Sequence, residues 1–231
     1  MSAREQVPAA RPRIHQVIEG RQAPEAIEAA SFAAIDAEVP AHGFTPGQWR
    51  VVQRMIHASA DLALADSVRF SAGAVEAGIA ALRAGRPLYV DSNMIRAGLS
   101  TARLRRANPA YGPERVFCHI ADEDVAREAR AAGLPRSLFA VRKAKAMLDG
   151  GIAVFGNAPV ALLELNRMIV EEGVRPAFVV ALPVGFVHVV ESKEELMGLD
   201  IPYVAIAGRK GGSPLAVAAV HALCALAEEA R

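Results

Sequence analysis

The spacing of apolar positions divides the chain into two regimes. Between Pro24 and Ala84 apolar residues recur at intervals of three and four, the signature of helices with one buried face. From Leu88 onward, short continuous apolar runs alternate with further helical segments. In the first regime Pro24 occupies a first-turn position, and Ile27, Ser31, Ala34 and Ile35 follow on one stripe. Thr45-Pro46-Gly47-Gln48 is a strong helix start: Thr45 caps, Pro46 takes the first helical position and Gln48 completes a capping box. That helix places Trp49, Val52 and Ile56 on one stripe and runs to His57 or beyond, and a third spans 73–84.

In the second regime, β-rich runs occur at 88–90, 116–118, 152–155, 178–182 and 203–207. Helical segments at 122–132, 137–148, 159–172, 192–197 and 214–229 separate them. Several runs are apolar throughout, as strands covered on both faces must be. The pattern predicts an α/β, three-layer fold: a mostly parallel sheet with helices on both faces and extra N-terminal helices. The absence of a Gly/Pro/Ser-rich linker makes 1–231 one domain, with 1–13 as a flexible tail. In open sheets of this kind ligands gather beyond the carboxyl ends of the strands. The segments beginning at Asp91, His119, Gly156, Pro183 and Gly208 are therefore where chemistry is expected.

Composition narrows the possibilities. Hydrophobic residues make up 52% of the 231, enough for a sizeable core, and the formal net charge of +1 gives no general attraction to nucleic acid or anionic membrane. An anionic ligand has to be held by a local basic cluster. Cys118 and Cys224 are too far apart to form a ligand set, so reduced thiols in a cytoplasmic protein are expected. Arg4, Arg11 and Arg13 have no apolar run behind them, so a secretory leader is not expected, and no uninterrupted apolar stretch suits a membrane span.

The loop Gly208-Arg209-Lys210-Gly211-Gly212-Ser213 leaves a strand and enters a helix at Pro214. Its glycines permit close backbone approach, Arg209 offers a planar fork for a carboxylate and Lys210 a point charge. A solvated surface turn fits the same residues equally well. Arg54 and His57 lie three apart on one helix face, with Asp61 four beyond; a continuing helix would let Asp61 accept from the imidazole. Spacing alone favours a polar helix edge turned to water. The Ser31 hydroxyl, on an apolar stripe, needs either a carbonyl one turn back or a ligand. Adjacent strand residues Cys118 and His119 face opposite sides, and His221 with Cys224 gives only two ligands, so no metal site is expected. Gly-x-Ser-x-Gly and Gly-x-Gly-x-x-Gly motifs are absent.

Five segments taken together resemble the precorrin-8X/cobalt-precorrin-8 methylmutases of cobalamin (vitamin B12) biosynthesis. They are Arg54-Met55-Ile56-His57, Asp91-Ser92-Asn93-Met94, Gly156-Asn157-Ala158-Pro159, Pro183-Val184-Gly185-Phe186 with Glu191-Ser192-Lys193-Glu194, and the Gly208–Ser213 loop. The resemblance implies an isomerase that moves a ring methyl from C-11 to C-12 of a corrin precursor. It further implies a homodimer with no cofactor, His57 as the proton-transfer residue, and Ser31 and Arg54 in contact with substrate. Arg136, Arg209 and Lys210 are then candidates for the carboxylates at the ring's edge. The stretches Ala58-Ser59-Ala60-Asp61 and Cys118-His119-Ile120-Ala121-Asp122-Glu123-Asp124 look closer to the cobalt branch of the family. Val160 departs from it, since threonine is common there. A corrinoid carrier without activity, or an α/β enzyme acting on another polyanion, would use the same basic loop.

Overall fold

The computed structural model describes residues 11–21, 23–39 and 41–230. The expectations for the N-terminal tail lie almost entirely outside them. The strands are β1 (Val68–Phe70), β2 (Leu88–Val90), β3 (Val116–Phe117), β4 (Ile152–Phe155), β5 (Phe178–Ala181) and β6 (Tyr203–Ile206). They form one sheet in the order β1-β6-β5-β4-β2-β3. All neighbours are parallel except β1 on β6, where Val68 pairs with Ile206 and Phe70 with Val204.

Helices α1 (Ile14–Glu19), α2 (Pro24–Glu38), α3 (Pro46–Ser59), α4 (Leu64–Ser67) and α5 (Ala74–Arg83) fill the first part of the chain. Then follow α6 (Asn93–Gly98), α7 (Thr101–Ala107), α8 (Glu123–Ala132), α9 (Arg136–Lys143) and α10 (Lys145–Leu148). The last three are α11 (Pro159–Glu172), α12 (Val189–Met197) and α13 (Ser213–Glu229).

Successive strand residues point to opposite faces, and the cores record that alternation. Leu88, Val90, Ile152, Val154, Phe178, Val180, Val204 and Ile206 pack with α3, α5, α7 and α13. Tyr89, Ala153, Phe155, Val179, Ala181 and Ala205 pack with α9, α10, α11 and α12. This is the three-layer arrangement that the uniformly apolar runs called for.

Where expectation and structure differ, the cause is length or edge position. β1 escaped notice because it is three residues long, lies at the sheet edge and exposes Arg69. α6 and α7 are too short for a periodicity argument, yet each has a serine cap: Ser92 Oγ accepts from Ile95 N at 3.3 Å and Ser100 Oγ from Arg103 N at 3.4 Å. The single helix expected over 137–148 is two, α9 and α10, meeting at Ala144. Cys118 lies just past the end of β3, and both cysteines are free and buried.

Candidate active site

The first turn of α3 fixes the geometry of the site. Thr45 Oγ1 accepts from Gln48 N at 3.3 Å while the Thr45 N–H donates to Gln48 Oε1 at 3.0 Å, the reciprocal pair expected from sequence. Val51, Val52, Met55 and Ile56 are then buried, and α3 packs along α13. On its other flank Asp36 of α2 clamps the two helices together. Its Oδ1 accepts from Trp49 Nε1 at 2.8 Å and from Gln53 Nε2 at 2.7 Å.

That clamp sets the last turn of α3 against α2. The exposed His57 ring meets the Phe32 ring edge-on, with centroids 5.2 Å apart. Beside it is a cleft of about 310 Å³ lined by Ser31, Ala34, Ile35 and Glu38 of α2 and by Ile56, His57, Ala60 and Leu62. Apolar walls with a hydroxyl from α2 and an imidazole from α3 suit a largely apolar ligand that needs one proton-transfer group.

Ser31 donates to Ile27 O at 3.0 Å, the carbonyl one turn back. Arg54 is 15% exposed, bonds Glu28 at 2.9 Å and stands 5.2 Å from the Phe32 ring centroid. Phe32 is thus the common neighbour of Arg54 and His57. A substrate carboxylate at Arg54 has to share the guanidinium with Glu28 or displace it.

The expected His57–Asp61 pair does not form. α3 ends at Ser59, Ala60 adopts a left-handed conformation with φ 54°, and Asp61 turns away from the helix face. Its Oδ2 instead accepts from Lys210 Nζ at 2.6 Å, and that bond holds the Asp61 carboxyl below the usual carboxylate range. Lys210, 149 residues away in sequence, is thereby brought beside the end of α3. Arg209 is exposed, with its guanidinium 5.5 Å over the ring of Phe186, itself 83% exposed.

The profile of the precorrin-8X methylmutase family matches residues 26–226. The cobalt-precorrin-8 methylmutase of Priestia megaterium is 43% identical over 205 residues, 89% of each chain. The precorrin-8X methylmutase of Pseudomonas aeruginosa is 40% identical over 86% of this chain and 94% of its own. A crystal structure of precorrin-8X methylmutase from Thermus thermophilus superposes with a TM-score of 0.81 at 46% identity, covering 89% of this chain and 97% of that one. The chain belongs to the precorrin-8X methylmutase family. It is an isomerase of cobalamin biosynthesis, by its kinship with those methylmutases.

The methylmutase sheet gathers several segments at one edge. Asp91, following β2 and 1% exposed, accepts from Gly156 N at 3.1 Å, Asn157 N at 2.9 Å and Ala158 N at 2.8 Å. Burial pushes its carboxyl above the usual range, and the three N–H bonds pull it back down. Ser92 and Ser213 share a hydroxyl hydrogen bond of 3.0 Å, and Gly212 N donates to Leu182 O at 2.9 Å. A Cβ on Gly211 would stand 2.3 Å from Leu182 O, so only glycine fits there.

Sequence reasoning missed two residues of this framework, Asp91 as an acceptor and Lys193. Asp91 was flagged by its place at a strand end and in the Asp91–Met94 segment, without a role. Lys193 stood inside the Glu191–Glu194 segment of the resemblance but was given no role, because Glu-Ser-Lys-Glu-Glu reads as a solvated charge run, yet its side chain is buried.

Arg136 is not brought to the cleft within this chain. It is exposed at the first position of α9, and α9 packs on the sheet face opposite α3. A larger hollow of about 510 Å³ on that same face is lined by Arg142, Lys145 and Arg167. Their charges are already matched: Arg142 and Arg167 bond Glu164 at 2.8 and 2.6 Å, and Lys145 bonds Glu172 at 2.7 Å. The smaller cleft at His57 is the chemically better candidate. No group of three or more metal-ligating side chains, and no helix long and apolar enough to cross a membrane, occurs among the described residues.

Proposed function

We propose that this methylmutase moves the methyl group of a corrin precursor from C-11 to C-12, with His57 as the proton-transfer residue. The observation that carries the reading is the placement of the His57 imidazole on a largely apolar cleft between α2 and α3 that Ser31 also lines. The bond from the methyl to C-11 breaks as the bond to C-12 forms, so no atom enters or leaves and no external group is needed. An imidazolium donating to the ring makes C-12 more electron-poor as the methyl arrives, and the same proton returns to His57 when the rearranged conjugation is complete. Acid assistance of this kind is worth about 10²–10⁴-fold. The rest of the acceleration comes from holding one ring conformation.

The substrate is flat and rimmed with carboxylates. Lys210 and Arg209 stand on the loop that reaches the end of α3, and Arg54 lies one turn before His57. They supply the cationic edge, with Ser31 on the facing wall. The cleft is small for a whole macrocycle, which supports a homodimer in which a second copy completes the site. Arg136, remote in one chain, then takes its place at the ring's edge from the partner. The Ala58–Asp61 and Cys118–Asp124 stretches favour the cobalt-bearing ring; relatives of both names occur at similar identity.

Incubating purified protein separately with the two rings tests the assignment. Spectral conversion of the cobalt-bearing ring, faster than that of the metal-free ring, is the expected result. A stable bound spectrum with both rings would turn the reading into that of a carrier. For the cationic edge, Arg209→Ala is expected to weaken ring binding roughly tenfold, the loss of a charge-assisted hydrogen bond. Conversion of the bound ring should change by less than about threefold. An unchanged dissociation constant removes Arg209 from the site.

A further inference from the structure

Lys193 is the buried cation that the site so far leaves unused. Its side chain is 1% exposed, and no carboxylate pairs with it among the described residues. Its Nζ donates instead to two backbone carbonyls of the substrate loop, Gly208 O at 2.9 Å and Lys210 O at 2.6 Å. An ammonium taken out of water without a counter-ion is costly to the fold, so an apolar side chain would serve packing better.

The geometry of the peptide unit shows what the ammonium does. In a trans peptide the C=O and the following N–H point in opposite directions. With the Gly208 and Lys210 carbonyls drawn inward to Lys193, the N–H groups of Arg209 and Gly211 are turned outward. Neither N–H has an acceptor among the described residues. The same loop carries the exposed Arg209 guanidinium, and it is tied to its neighbour by Gly185 N on Arg209 O and Gly212 N on Leu182 O.

We propose that Lys193 is a positioning residue for carboxylate capture: its ammonium holds two carbonyls inward and so presents the Arg209 and Gly211 N–H groups, with the Arg209 guanidinium, to a substrate carboxylate. The inference rests on the reading of this loop as the ring's cationic edge. It also explains a lysine inside a run of glutamates, where a surface role would leave it exposed.

The charge state of Lys193 gives the loop a pH dependence. Burial alone lowers its pKa, to about 8. The other ionisable groups around it are accounted for. His188, Glu191 and Glu194 are exposed on or beside α12, Glu195 is bonded by Asn166 of α11 at 2.9 Å, and Lys210 is bonded by Asp61. β5 carries no ionisable group and β6 only Tyr203, whose pKa burial raises. Above about pH 8 the folded chain has released this proton while the unfolded chain still binds it, so this group makes global stability rise with pH there. The loop meanwhile loses its charge-assisted bonds. A loss of ring affinity in that window is therefore not unfolding caused by this lysine.

The test compares wild type with Lys193→Met, using cobyrinic acid as the probe and amide exchange of Gly185 and Gly212 as a readout that needs no ligand. The variant should bind cobyrinic acid at least about tenfold more weakly, show lower protection at both amides, and convert bound substrate within about threefold of wild type. In wild type, affinity should fall as pH passes about 8, and that step should be missing from the variant. Wild-type behaviour alone decides the matter if the variant fails to fold: affinity and amide protection indifferent to pH between 7 and 9 would overturn the proposal. Unchanged affinity and protection in a folded variant would do the same. Lost protection with no cobyrinic acid binding by either protein would defeat the substrate reading while upholding Lys193 as the anchor of the loop.

Discussion

His57→Ala is expected to slow conversion of the bound ring by about 10²–10⁴-fold while leaving the fold intact. Two structural facts separate those effects. The imidazole is exposed, beyond the buried stripe of Val52 and Ile56, so truncating it leaves no cavity. It sits in the last turn of α3, where its interaction with the helix end is worth a few tenths of a kcal/mol. Thermal melting should therefore shift by only about 1–2 °C, and ring affinity should change little, because Ile35, Ile56 and Leu62 still line the cleft. His57→Asn, which keeps a polar group without a transferable proton, should be as slow as the alanine variant. The measurement is single-turnover absorbance on purified substrate. A variant that converts bound ring within a factor of two of wild type takes His57 out of the chemistry.

Asp91→Leu is expected to have the opposite signature, a large loss of stability. The carboxylate accepts three backbone N–H groups at the start of the 156–158 turn, and one of them, that of Gly156, is buried. Leucine supplies no acceptor, and stranded donors of this kind cost on the order of 3 kcal/mol in total. For a chain of this size that corresponds to about 6–12 °C in melting temperature. Asp91→Asn keeps one acceptor oxygen but turns an NH₂ group toward the same donors, so it should fall between leucine and wild type. The turn also meets the 208–213 loop, since Gly156 packs against the Ser213 backbone and Ser92 bonds the Ser213 hydroxyl. Loss of ring binding should accompany the loss of stability. A leucine variant melting within 2 °C of wild type would show that the three N–H groups find acceptors elsewhere.

The two residues differ in how much of their role the sequence carried. The helix face that carries His57 was visible because α3 announces itself locally: Thr45 and Gln48 form the cap that their spacing promised, and helical periodicity then places Arg54 and His57 on one face, while the role of His57 came only from the family resemblance. The apolar runs starting at Leu88, Ile152, Phe178 and Tyr203 were legible for the same reason. A strand covered on both faces has no polar side to show, and the two cores confirm that its residues divide between them. These signals arise among residues a few positions apart, so the order of amino acids suffices to produce them.

What the chain order does not contain is which segments become neighbours. Asp61 looked like a partner for His57 at helical spacing, but α3 stops at Ser59 and Lys210 arrives from the far end of the sequence to take the carboxylate. Arg136 sits at a helix start that sequence located well, yet α9 belongs to the layer opposite α3. Lys193, lying between acidic and polar residues, is buried because β6 and its loop fold over α12. Short-range hydrogen bonding and hydrophobic period wrote the helices, the strands and the face of α3 into the sequence. The cleft, the fate of each charge and the shape of the 208–213 loop depended on contacts across 13 to 149 residues, which only tertiary packing brings about.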